Sequence, residues 1–117
     1  MSTRWKVVYY VSAGGKIPVK EFLDAAGPKL KTKVIRILMH CEEYGLQSII
    51  SHIKKLTGTQ LWEIRILGTD NVRVLFVTQV KQQIFLLHAF QKKTQKTPVK
   101  EIGIAVARLR EYQTSGH

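Results

Sequence analysis

The sequence predicts an α+β fold, a twisted antiparallel sheet with helices packed on one face, in the order β-α-α-β-β-β-α. Three observations carry this. Three apolar, β-branched runs follow one another between residues 61 and 90. Two helical patterns precede them, each opened by proline and closed by glycine. A last helical pattern follows Thr97-Pro98. Strands grouped together with helices before and after them make an α+β arrangement.

Residues 5–11, WKVVYYV, form the first strand, and 12–16 with Gly14-Gly15 a turn. Pro18 suits a first helical turn, where its missing N–H does no harm. VKEFLDAA then makes a short helix, stopped by Gly27-Pro28. A longer helix runs from about Pro28 to Tyr44. In it Leu30, Val34, Ile37, Leu38, Cys41 and Tyr44 recur at three- and four-residue spacing as one apolar stripe. Gly45 fits the position after its end. Residues 46–53 read equally as a helical turn or an extended link. Strands are expected at 61–66, 72–80 and 84–90, with GTDN at 68–71 as a turn. Thr97 is expected to cap the last helix, whose apolar face is Ile102, Ala105, Val106 and Leu109.

The 117 residues fit one domain, with no repeat, linker or low-complexity segment. No apolar run approaches the ~20 residues of a membrane span, and the N-terminus reads as a strand, not a signal peptide. A membrane is therefore not an expected partner. One cysteine, Cys41, forbids an intramolecular disulfide and suits a reducing cytoplasm. It belongs to the helical stripe, so it is read as core. Cysteine-pair zinc is excluded. The four histidines lack paired spacing, so neither metal nor other cofactor is expected.

Nineteen Lys and Arg against eight Asp and Glu give a net charge of +11. That excess is the footprint of a polyanionic partner: nucleic acid, an anionic surface or an acidic protein. Strand parity says where it gathers. Trp62, Ile64, Ile66, Val72, Val74, Phe76, Phe85, Leu87 and Ala89 make one apolar face, expected to receive the helices. Glu63, Arg65, Arg73, His88, Phe90 and Lys92 fall on the other. For Arg65 to face Arg73, the intervening loop must have an odd length. The next hairpin must then be even, with Lys81-Gln82 as its turn.

Such a face suits phosphate. Arginine presents a planar fork of donors to phosphate oxygens, Phe90 offers a ring for a base to stack on, and His88 offers a titratable imidazole. RNA cleavage by the 2′-hydroxyl needs a base, an acid and cations for the charged transition state. Arg65, Arg73, Lys92 and Lys93 answer the last need, and Glu63 or His88 the proton transfers. Lys54, Lys55 and Lys96 extend the patch as RNA-binding candidates. Blander readings account for the same residues: His88 as a structural histidine, Glu63 and Arg65 as a strand-face ion pair, and the lysines as a solvated strand end.

The order KKLTGTQLWEIRI, VRVLFV and LLHAFQKKTQKTPVKEI over residues 5–112 resembles the RelE/ParE toxin superfamily, and within it the HigB-like, phage-derived branch. The resemblance implies a small basic toxin with the RelE-like fold. It also implies a metal-independent, ribosome-dependent endoribonuclease that cuts mRNA, and a neutralising antitoxin, often a helix-turn-helix protein. Arg65, Arg73, Lys92 and Lys93 match the family's basic positions. Glu63 stands where several members place a lysine. Two alternatives remain at this level: a ParE-like inhibitor of DNA gyrase, and a non-catalytic basic nucleic-acid-binding module. Arg73→Ala and Lys93→Ala are each expected to relieve toxicity without unfolding the protein.

Overall fold

In the computed structural model, residues 4–66, 71–79, 81–93 and 96–114 are described. Strand β1 (Lys6–Tyr9) is followed by helices α1 (Pro18–Ala25) and α2 (Pro28–Tyr44). A 3-10 helix (Leu46–His52) leads into the short β2 (Ile53–Lys55). Then come β3 (Trp62–Ile66), β4 (Val72–Gln79), β5 (Gln83–Gln91) and helix α3 (Val99–Thr114). The ambiguous stretch 46–53 thus resolves into a 3-10 turn and an edge strand. The expected turn at 68–70 and the last residue of the 72–80 run lie outside the described residues.

Both expected proline starts place helices α1 and α2 correctly. Gly27 and Gly45 bound α2 with φ of 99° and 93°, a region costly for any residue with a Cβ. Helix α3 begins one residue later than expected. The Pro98 carbonyl accepts its first bonds, from the N–H groups of Glu101 and Ile102. Pro98 therefore takes the cap position, and the Thr97 hydroxyl is released for another partner.

The five strands order as β1-β5-β4-β3-β2. Strand β1 runs parallel to β5 and the other neighbours are antiparallel. This corrects the wholly antiparallel expectation. The parallel pair arises because α1, α2 and the meander separate β1 from β5, which makes a crossover possible.

Helices also cover both faces, not one. Val19, Leu23, Val34, Leu38 and Cys41 pack with Ile64, Val74, Phe76, Ile84 and Leu86 on one side. On the other, Ala105 and Leu109 of α3 pack with Leu61, Leu75, Val77, Phe85 and Leu87. The middle of β4 and β5 is apolar on successive residues, the pattern of strands buried on two sides. Cys41 is fully buried, and burial pushes its thiol up to about 11, as a core cysteine requires.

In β5, parity predicts Phe85 and Leu87 on the α2 side and Leu86 opposite them, and the structure reverses all three. Gln79 opposes Gln83, so three residues, 80–82, join β4 to β5 where an even loop was expected. Lys81 and Gln82 both adopt positive φ, 63° and 57°. The register then shifts between Leu75 and Phe76, which oppose His88 and Leu86 and leave Leu87 as the extra residue. The bulge reverses the parity of β5 once. Ile84 and Leu86 thereby join the α2 side, while His88 and Phe90 keep the face the sequence assigned them.

Candidate functional site: a cationic cluster around a buried carboxylate

The Arg65–Arg73 juxtaposition is real. The two are direct partners on β3 and β4, joined through five residues, 67–71, an odd number as required. Phe90 of β5 opposes Arg73, completing one row across the sheet. The next row holds Lys54, Glu63, Leu75 and His88. Directly paired residues share a face, so four of the expected residues, Lys54, Glu63, Arg65 and Arg73, sit side by side.

Glu63 is the centre. It is only 2% exposed. Its Oε2 accepts a 2.7 Å hydrogen bond from the Thr97 hydroxyl, and its Oε1 lies 3.7 Å from Arg73 Nε. Arg73, 6% exposed, donates through Nη1 to the Val72 carbonyl at 3.2 Å, while its Nε has no hydrogen-bond partner. Burial pulls the Arg73 guanidinium below its ordinary value; Glu63 opposes this and Arg65 adds to it. The pair is thus a carboxylate holding a buried cation against a neighbouring one. Arg65 is half-buried and Lys54 exposed, so these two present charge outward.

Lys92 joins the cluster. Its backbone N–H donates to the Asn71 carbonyl at 2.8 Å, which fixes the chain just past β5. Burial lowers its ammonium pKa, Glu63 opposes the shift, and Arg73, Lys54 and Arg65 lower it further. Those same four charges are the ones the sheet register brings together. Lys93 follows the strand end with an exposed side chain, and Lys96 is exposed in the link to α3.

Three expected roles need correction. Phe90 is 6% exposed and its ring stacks on His88, centroids 5.6 Å apart, so it offers no open face to a base. Lys55 pairs with Trp62 and therefore points to the opposite side from Lys54. There it donates to the Thr59 carbonyl at 2.8 Å and stands 5.8 Å from the Trp62 ring centroid. His88 is structural. Its Nε2 lies 2.7 Å from Glu101 and its Nδ1 lies 3.1 Å from Arg108 Nη1. Arginine carries donors alone, so Nδ1 accepts and Nε2–H donates to the carboxylate. Arg108 also donates to the Leu87 carbonyl at 2.9 Å. The neutral ring ties α3 to β5. Glu101 and Arg108 stand seven residues apart, two turns of one helix face. That spacing, with Ala105 between them, is the sequence signal that could have paired them with His88.

His88 makes stability pH-dependent. Burial lowers its pKa, outweighing the Glu101 hydrogen bond, with Arg108 adding to the lowering. Below its ordinary value near 6.5 the unfolded chain takes up a proton that the folded one refuses. Its contribution is therefore full above about pH 7 and falls as pH drops, levelling once the folded ring protonates. Urea midpoints at pH 7.5 and 5.5 should differ less in His88→Gln than in the parent protein. An equal difference would mean that His88 does not titrate in this way.

The described residues hold no group of three or more His, Cys, Asp and Glu suited to a metal ion, and no helix among them is long and apolar enough to cross a membrane. Fold and site define a small, strongly basic α+β protein with arginines and lysines gathered at one end of its sheet. The chain belongs to the phage-derived protein Gp49-like family (DUF891), whose model matches residues 21–110. That match spans the whole cluster from Lys54 to Lys92. The family is phage-derived and toxin-like, within the RelE/HigB-type toxin superfamily. Among curated proteins, none matches the chain.

Proposed function

We propose that this protein is a HigB-like toxin of a toxin–antitoxin pair, an endoribonuclease that cuts mRNA on the ribosome and arrests translation. The observation that carries the reading is the direct pairing of Arg65 with Arg73, flanked by Lys54 and Lys92. In the reaction the substrate's own 2′-hydroxyl attacks the adjacent phosphorus, its proton passing to solvent. The bond to the 5′-oxygen breaks, leaving a 2′,3′-cyclic phosphate and a 5′-hydroxyl. Charge builds on the phosphate oxygens, where fixed cations lower the barrier.

The residues divide the work. Arg65 and Lys54 take the phosphate oxygens. Arg73, held from behind by Glu63, adds its field from a buried position, where charge is screened least. Lys92 serves the departing 5′-oxygen as proton donor: burial and the neighbouring Arg73, Lys54 and Arg65 charges lower its pKa, which eases release of the proton. Glu63 positions Arg73 and is too deeply buried to reach a substrate hydroxyl. A cognate antitoxin, a helix-turn-helix protein in this reading, would neutralise the exposed positive charge.

Induced expression with pulse labelling tests the reading. Protein synthesis should stop within minutes, with messages cut inside their reading frames. Filamentation with intact mRNA would replace this reading with gyrase inhibition, and unimpaired growth would leave a non-catalytic binding module.

A further inference from the structure

A second basic feature lies outside the cluster. Two cavities of about 400 and 240 Å³ open side by side between α2 and the 3-10 helix. They share Arg36, Ile37 and His52, so they form one trough. Lys33, Arg36 and His40 line its α2 wall at successive turns, and all three are exposed. The floor is apolar, from Ile37, Ile49 and Ile66. At one end the His40 ring lies 4.7 Å from that of Tyr44, which is 64% exposed. At the other end stands Arg65.

The sheet explains why Arg65 belongs to both places. Strand β2 pairs with β3 only through Trp62–Ile64. Arg65 lies just beyond that covered stretch, at the open edge of β3, and also opposes Arg73. Ile66 beside it faces the α2 side, so a polymer leaving the cluster would pass round the edge of β3 at Arg65 to enter the trough. A basic α2 wall beside an apolar floor, with the tilted His40 and Tyr44 rings at the far end, suits a single strand: phosphates on the cations, bases against the rings and apolar side chains.

We propose that the trough between α2 and the 3-10 helix is a second RNA-binding site, holding the single-stranded chain on one side of the scissile phosphate. It rests on the reading of the protein as one that acts on RNA. Arg65 is the joint between the trough and the cleavage site.

The test is direct binding. Fluorescence anisotropy compares the full chain with a Lys33→Gln/Arg36→Gln variant, using labelled uridine oligonucleotides of five and twelve residues, with thermal melting as the folding control. The parent should bind the longer RNA more tightly. The variant should lose about tenfold or more for the longer RNA and little for the shorter. Its slope of log affinity against log salt should flatten by about 1.4, from two lost phosphate contacts at ~0.7 each. A folded variant with unchanged affinity and slope overturns the trough and leaves the nuclease reading in place, provided Arg65→Ala weakens binding. A parent with no preference for the longer RNA also overturns it. Trough-dependent binding without mRNA cutting on induction would sink the nuclease and keep the trough.

Discussion

Glu63→Ala lowers stability by about 3–5 kcal/mol, the expected cost of leaving one member of a buried ion pair without its partner. Glu63 and Arg73 have side chains 3% and 8% exposed, so solvent does little to screen the stranded charge. The same change strands the Thr97 hydroxyl, which donates to Glu63 at 2.7 Å. Urea denaturation should show a lower midpoint with an unchanged slope. The melting temperature should fall on the order of 10–20 °C. A Glu63→Leu/Arg73→Met double variant should recover most of the loss, because removing both charges also removes the cost of burying them. If Glu63→Ala melts with the parent, the buried pair is not what holds this end of the sheet. The mirror change, Arg73→Ala, strands the carboxylate in the same way. It therefore cannot serve as a clean probe of activity, contrary to what the sequence alone suggests.

Arg65→Ala and Lys92→Ala are the clean probes, and each is expected to reduce RNA cleavage about 10²–10³-fold, the usual loss for one preorganised transition-state donor. Arg65 is half-buried and Lys92 partly so. Neither makes the buried contacts that hold Glu63, so the melting temperature should stay within a few degrees of the parent. Single-turnover cleavage of a ribosome-bound message measures the effect. Lys92→Ala should also remove a limb from the pH–rate profile if Lys92 protonates the leaving oxygen. Lys93→Ala, one position further along an exposed link, should have a smaller effect than Lys92→Ala. Equal losses at 92 and 93 would mean that the chain past β5 acts as a diffuse patch of charge.

Much of this site was legible before any coordinates. Parity put Glu63, Arg65 and Arg73 on one face because alternation is a property of every strand, and the odd loop at 67–71 kept the register. The same rule misplaced Phe85, Leu86 and Leu87. A three-residue connection and a bulge at Leu87 each shift parity by one, and together they cancel, so His88 and Phe90 still landed correctly. No local pattern announces a bulge. The second helical layer was legible in principle, since VRVLFV and IFLLHAF are apolar on successive residues. Treating one face as polar hid it, and with it the burial of Phe90 and the capture of His88 by Glu101 and Arg108. Thr97 was read as a cap because Thr-Pro so often is one. Its true partner, Glu63, lies 34 residues away, beyond the reach of local chemistry. The trough escaped for the same reason: it takes one wall from α2, another from the 3-10 helix and its joint from β3.

The central claim is that the paired arginines and Lys92 promote attack by the substrate's own 2′-hydroxyl. Mapping the ends of a message cut on purified ribosomes tests it most directly. The expected products carry a 2′,3′-cyclic phosphate and a 5′-hydroxyl, and a message with a 2′-deoxy residue at the cut position should remain whole. Products ending in 3′-hydroxyl and 5′-phosphate, or cutting of the deoxy-substituted message, would contradict it.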